Sequence, residues 1–329
     1  MEIRTLDGLS IALVDADEAL ATNWGAFRGR VDVARVPMPP RRRRATLADA
    51  GFLAKPARLT WIAATCDSEE SFLGNLSFRD RKNIRVAQLR AAADRVRFDI
   101  VKPVKARLLD EFLRLYGAQV AGMRHGVAIA AKHTDVITDE SAHYYAVAAH
   151  IDSELVGACL AQECPAENLV RLRFAATDPA RHNSGLARAM YLSAVQTARQ
   201  MGYGQVGLGT DPNLYGHLVK PGLFAFKWRL GFTARPSQSV LAGDGFDEAD
   251  LIIGAEQLVE PVLFLSYADS PPATSESPRG LRAELYSSQP ELDVRPYRAS
   301  FLSELRLHVL PPVPAHGPRR QGHADLTPV

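Results

Sequence analysis

The stretch Asn168–Phe232 constrains this chain more than any other: NLVRLRFAATDPARHNSGLARAMYLSAVQTARQMGYGQVGLGTDPNLYGHLVKPGLFAFKWRLGF. Leu169–Thr177 is a short run in which Arg171 and Arg173 alternate with Leu172 and Phe174, the period of a strand. A polar turn holding Gly185 follows, then a long amphipathic segment, Leu186–Met201. Gln205–Thr210 reads as a second strand, and Lys227 sits in a final aromatic-rich helix. A strand, a small-residue turn and a helix start leave unpaired backbone N–H groups converging with the helix dipole, which is an anion site. Such a site suits the phosphates of an acyl carrier or of an RNA end.

The preceding residues continue the same alternation of strands and helices. Trp61–Thr65 reads as a strand and Ser71–Ala92 as one helix, with Phe72, Leu76, Ile84, Ala87 and Leu89 on its apolar face. Arg97–Val101 suits a strand, and Lys105–Gln119 is an amphipathic helix burying Leu108, Leu109, Phe112, Leu115 and Tyr116. His143–His150 and Glu154–Glu163 suit two strands joined by a turn at Asp152 and Ser153. The expected fold is therefore α/β, a mixed and mostly antiparallel sheet flanked by helices on both faces.

The order of these pieces resembles the GNAT acyltransferase superfamily, whose phosphate turn reads Gln/Arg-x-x-Gly-x-Gly/Ala. The register here is His182, Asn183, Ser184, Gly185, Leu186, Ala187. Gly185 and Ala187 fit the pattern; His182 replaces Gln or Arg, and Arg181 stands just before it. The helix Arg79-Asp80-Arg81-Lys82-Asn83-Ile84-Arg85, the helix containing Leu109-Asp110-Glu111-Phe112, and Phe226-Lys227 ahead of Leu230-Gly231-Phe232 are similar to the FemABX-like branch. The resemblance covers residues 58–235. It implies an acyltransferase that forms an amide on a small amine, with acyl-CoA or aminoacyl-tRNA as co-substrate and no tightly bound cofactor. It also implies tRNA as a partner where that donor is used. His182 weighs against coenzyme A, so the donor stays open.

Site residues follow from the resemblance position by position. Thr177, Arg181, His182, Asn183, Ser184, Gly185, Leu186 and Ala187 would hold the donor. Lys227 would stabilise developing negative charge; Asp211, Tyr215 and His217, past the second strand, would support transfer. Phe226, Arg124, Arg79 and Arg85 would contact substrate, Arg79 and Arg85 with Arg81, Lys82 and Arg41–Arg44 along an RNA backbone. Each has a plainer reading. Gly185 serves close packing of a helix on a sheet. Lys227 snorkels to solvent, Asp211 to Asn213 form a turn and helix cap, His217 is a surface residue, and the arginines are a solvated face. A GNAT-like module that binds without catalysis is the alternative to an enzyme.

Bulk properties fit these expectations. The 329 residues suffice for one large or two smaller domains, and a net charge of +2 does not announce a nucleic-acid binder. Cys66, Cys159 and Cys164 form no Cys-x-x-Cys pair, so neither a disulfide framework nor zinc is expected. No segment reaches the roughly 18 apolar residues of a membrane span, and a cytoplasmic protein is expected. Residues 1–57 are a flanking segment too short for a full second GNAT-like lobe. Residues 236–310 form a C-terminal α/β extension, with Gly243–Asp250 a loop, Pro261–Tyr267 a strand and Ala299–Leu307 a helix. Ser270–Arg279 is a Pro/Ser-rich linker, and 311–329 a disordered tail.

Overall fold

The computed structural model describes residues 1–310 apart from 7, 124–127, 140–141, 182–184, 217–219, 242, 244, 255–260 and 269–279. The linker Ser270–Arg279 and the tail 311–329 thus lie outside the described residues. The chain opens with β1 (Glu2–Leu6), β2 (Leu9–Leu13), α1 (Ala16–Ala21), β3 (Val33–Pro37), α2 (Arg44–Asp49) and β4 (Leu53–Pro56). The next stretch gives β5 (Arg58–Ala64), α3 (Glu69–Gly74), α4 (Phe78–Ala93), β6 (Arg97–Val101), α5 (Ala106–Ala121) and α6 (Thr134–Thr138). Then come β7 (Tyr144–Ile151), β8 (Glu154–Cys164), β9 (Leu169–Thr177), α7 (Leu186–Gln200), β10 (Gln205–Pro212) and α8 (Pro221–Arg229). Finally β11 (Thr233–Pro236), β12 (Asp247–Ile252), β13 (Val262–Tyr267), β14 (Leu281–Ser287) and β15 (Leu302–Val309) close the chain.

The central sheet has seven strands in the order β11-β5-β10-β9-β8-β7-β6. Every neighbouring pair is antiparallel except β9 and β10. That parallel pair is short: Gln205, Val206 and Gly207 face Leu169, Val170 and Arg171, and the ladder stops there. Beyond Gly207 a bulge shifts β10 against β5, with Gly209 at φ 64, where a side chain would be strained. The two central strands part at this point, and the sheet carries a fork in its middle.

Apolar residues on alternate strand positions cover both faces. Leu108, Leu109 and Phe112 of α5 bury one face against Tyr144, Ala146 and Phe174. Ile84 of α4, Met190 and Val195 of α7 and Phe224 of α8 bury the other against Trp61, Tyr145 and Val206. The long helix expected over Ser71–Ala92 is two helices. Ser77 breaks it by capping α4, its Oγ accepting from the Asp80 amide at 3.1 Å, a competing local bond that ends one helix and starts the next. Leu89, expected on the apolar face, is 70% exposed.

The flanks build two further sheets. The first has the order β1-β2-β3-β12-β4, so a strand from beyond residue 236 is inserted between two strands from before residue 58. Gly243–Asp250, expected to be a loop, therefore contains most of a buried strand. Its carboxylates hid the pattern: Glu248 and Asp250 are buried because Lys55 and Arg35 pair with them inside the sheet. The second has the order β13-β14-β15. The helix expected over Ala299–Leu307 is mostly strand β15, in which Leu305 and Leu307 pack on the core while Glu304 and Arg306 are exposed, a period of two. Among the described residues 236–310 are strands and single 3-10 turns, without an α-helix.

Candidate functional site

The end of β10 brings four polar side chains into the apolar core. Asp211 leaves the strand just past the bulge, and α8 returns Lys227 to it. Lys227 Nζ lies 2.7 Å from each Asp211 oxygen and 3.1 Å from the Leu208 carbonyl. Trp61 of β5 donates its indole N–H to Asp211 Oδ2 and to the Tyr215 hydroxyl, both at 3.0 Å. The Tyr215 hydroxyl donates to Asp211 Oδ2 at 2.9 Å. Tyr215 and Trp61 are fully buried and Lys227 is 6% exposed.

Local sequence explains this arrangement. Pro221 occupies the first turn of α8, where its missing N–H costs nothing, and Gly231 at φ 93 follows its end. One face of the helix carries Phe224, packed edge-on to Trp61 (5.4 Å between centroids) and Tyr215 (5.5 Å). Phe301 closes over Trp61 from the C-terminal region at 5.8 Å. Lys227, one turn from Phe224, is thus carried inward, and a buried ammonium requires a counter-charge. Lys227 does not snorkel: its three N–H groups are occupied by the two Asp211 oxygens and the Leu208 carbonyl. That carbonyl sits in the bulge at the fork, so the ammonium replaces a ladder partner where strand pairing stops.

Burial first, and the Asp211 charge second, hold the Tyr215 hydroxyl well above the ordinary tyrosine pKa. It stays a neutral donor across the physiological range. Asn213 is not the helix cap expected. It is buried, donates to the carbonyls of Pro56 and Leu265 and accepts from the Leu265 amide, each at 2.8 Å. It ties the end of β4 to β13. Tyr215 extends the tie by exchanging backbone bonds with Leu263, at 2.7 and 2.8 Å.

The expected phosphate turn is partly described. Gly185 caps α7 at φ 84, and an added Cβ would stand 2.9 Å from the Ala87 Cβ of α4. Glycine is therefore demanded here by backbone conformation and helix packing. Leu186 is buried and Ala187 half-buried on α7. The Arg181 guanidinium lies 3.8 Å from Asp94 and 4.0 Å from Asp178. Thr177, at the end of β9, donates its amide to Gln119 Oε1 at 3.4 Å. His182, Asn183 and Ser184 lie outside the described residues, as do Arg124 and His217.

Phe226 links the two helices around the fork, 5.8 Å from the Tyr191 ring of α7 and beneath the Arg188 guanidinium at 5.5 Å. Arg79 and Arg85 are exposed on α4, away from the buried network. Sequence reasoning missed Trp61 as a polar participant and Asn213 as a bridge. Trp61 carried the one available signal, since a buried indole N–H needs an acceptor. Among the described residues no cluster of three or more His, Cys, Asp or Glu could hold a metal ion.

Comparison with known proteins finds a family match for part of the chain. Residues 110–216 match the acetyltransferase (GNAT) family. Similar solved structures include FemX (13% identity, 74% of this chain and 80% of that one, TM-score 0.44). L-PGS from Bacillus licheniformis is another (15% identity, 66% of this chain and 67% of that one, TM-score 0.43). An aminoglycoside acetyltransferase from an uncultured soil metagenomic sample is a third (13% identity, 34% and 74%, TM-score 0.28). No curated protein matches the sequence. The stretch that matches the GNAT family model runs from within α5 past the end of β10 and contains the whole fork.

Proposed function

We propose that the protein is an N-acyltransferase that transfers an acyl or aminoacyl group to a small amine, forming an amide. The observation that carries this reading is the fork between β9 and β10, with the Lys227–Asp211 pair at its bulge. Strands that diverge leave backbone N–H and C=O groups facing a gap, and an extended amide-bearing arm can pair with them as an added strand does. An acyl group carried on such an arm would enter between the strands, where Lys227 contributes positive charge against the developing oxyanion. Because its protons are already engaged, Lys227 acts through the Leu208 carbonyl and the local field. Asp211, Tyr215 and Trp61 fix its position.

The donor is acyl-CoA or aminoacyl-tRNA. Phe226-Lys227 and the exposed Arg79 and Arg85 support the second, and the Gly185 turn supports the first. Transfer assays with radiolabelled acetyl-CoA and with charged tRNA, each against a pool of amines and with RNase controls, separate them. A salt-sensitive, RNase-sensitive product identifies tRNA. An RNase-insensitive product from acetyl-CoA identifies the carrier. The saturation of all three Lys227 donors favours a second reading, a GNAT-like module that binds without turnover. A ligand that co-purifies and is never consumed would support it.

A further inference from the structure

On the α5 face of the central sheet, one row of paired residues crosses the strands: Tyr144 faces Gln162, Gln162 faces Arg171, and Arg171 faces Gly207. Arg171 is the last β9 residue paired with β10 before the fork opens, and Arg173 follows it two residues on. Arg173 is held in place. Its guanidinium donates to the Tyr144 hydroxyl at 3.1 Å and to Gln162 Oε1 at 3.0 Å, and Tyr144 donates to the same oxygen at 3.4 Å. The bulge that puts Arg173 into this row lies in the β8–β9 ladder, between Ala161 opposite Leu172 and Leu160 opposite Phe174.

Arg171 differs from Arg173. Its Nε is buried and has no hydrogen-bond partner. Among the described residues no carboxylate pairs with either guanidinium, although most other half-buried arginines do pair, as Arg35 does with Asp250 and Arg282 with Glu284. Both guanidiniums oppose the burial that raises the Tyr144 hydroxyl pKa, so they stand together beside that ring. Two half-buried positive charges, one with an orphan donor, are costly to maintain without an anion. The side chains of Tyr144 and Gln162 already fix the fork-shaped donor set that a carboxylate accepts in a bidentate manner.

We propose that Arg171 and Arg173 form a binding site for a carboxylate carried by the acceptor, so that the amine acylated at the fork belongs to an amino acid or another amino-carboxylate. The terminal N–H groups of the half-buried Arg171 guanidinium take one carboxylate oxygen, and Arg173, oriented by Tyr144 and Gln162, takes the other; the buried Arg171 Nε–H senses the bound charge. The amine then projects toward the gap beyond Gly207. The site rests on the acyltransferase reading only in calling its ligand the acceptor; binding there is measurable without turnover.

The test is a nitrogen-15 NMR titration of the full chain, following the Arg171 Nε–H signal, assigned by its loss in Arg171→Lys. The probes are β-alanine, β-alaninamide and phosphoethanolamine at constant ionic strength. The expected result is a saturable downfield shift with β-alanine, with affinity about tenfold or more above that of the amide, and weaker binding in Arg173→Gln. Equal binding of the acid and its amide in the wild-type protein overturns the site, as does the absence of a saturable shift with β-alanine. Tighter binding of phosphoethanolamine overturns the carboxylate assignment. These outcomes are read on the wild-type chain, so they hold even where a variant misfolds. A titrating site in a protein that forms no amide would reject the acyltransferase reading and leave the site standing.

Discussion

Two residues decide most about the site, and each is constrained by folding as well as by chemistry. Lys227 is half of a buried ion pair whose carboxylate also accepts from Trp61 and Tyr215. Removing one partner of such a pair strands a buried charge and typically costs about 3–5 kcal/mol. Lys227→Met should therefore lower the denaturant midpoint markedly as well as slow any turnover. The double variant Lys227→Met with Asp211→Asn should recover part of the loss in urea melts. An unchanged midpoint in the single variant would mean that the ammonium leaves the core in solution. Gly185→Val meets two penalties. Positive φ at a non-glycine residue costs about 1–3 kcal/mol, and overpacking against Ala87 adds about 1–3 kcal/mol. Thermal melts should show that loss. The added variant Ala87→Gly should restore only the packing share.

At the scale of elements, alternation and length made β9, α7 and α5 legible: Leu169–Thr177 is the strand read from the sequence, and α7 ends one residue before the expected Met201. The misreadings share a physical cause, polar residues satisfied by partners remote in sequence. Glu248 and Asp250 read as loop because their partners Arg35 and Lys55 come from the first sixty residues. Ser77 looked like helix interior because its capping bond to Asp80 is local and leaves the apolar spacing intact. Asp211, Tyr215 and Lys227 were visible as candidates, but their convergence depends on Trp61, 150 residues before Asp211 in the chain. Asn213 was misread for the same reason, and it yields a prediction. Asn213→Ala leaves the Leu265 amide and the carbonyls of Pro56 and Leu265 without that partner. A buried unpaired group costs about 1–3 kcal/mol. Hydrogen exchange at Leu265 should accelerate more than at Val206 in the central sheet, whereas uniform protection would show that the tie is dispensable.

For the whole molecule, the insertion of β12 between β3 and β4 makes the two flanks one unit, closed by charges rather than by apolar contacts alone. Burial works to raise the Asp250 carboxyl pKa, but Arg35 and Lys55 overcome it and hold it below the ordinary range. A depressed folded pKa means that the unfolded chain binds the proton first. The stabilisation is therefore present above the ordinary aspartate value of about 3.9 and is lost as the pH falls through the lower folded value. Acid should loosen this sheet in that window, and Asp250→Asn should flatten the response in pH-dependent melts. A melt that responds equally in both proteins would assign acid sensitivity elsewhere. Among the described residues no helix is long and apolar enough to cross a membrane. The two flanking sheets pack on each other, Leu9, Ile11 and Val33 against Val262, Phe264 and Tyr286, and Asn213 and Tyr215, just past β10, tie the forked sheet to them; this continuity sets the geometry on which the functional reading depends.

The most direct test is mass spectrometry of acyl transfer by the purified full chain. The protein is incubated with acetyl-CoA or with aminoacyl-tRNA, each bearing an isotope label in the acyl group, and with a pool of amines. The account predicts a labelled amide from one of the two donors, formed on an amine, and lost when Lys227 is replaced even in protein shown to be folded. An intact labelled donor with every amine, under conditions where it binds the protein, would contradict the assignment as an acyltransferase and leave a GNAT fold that binds without catalysis.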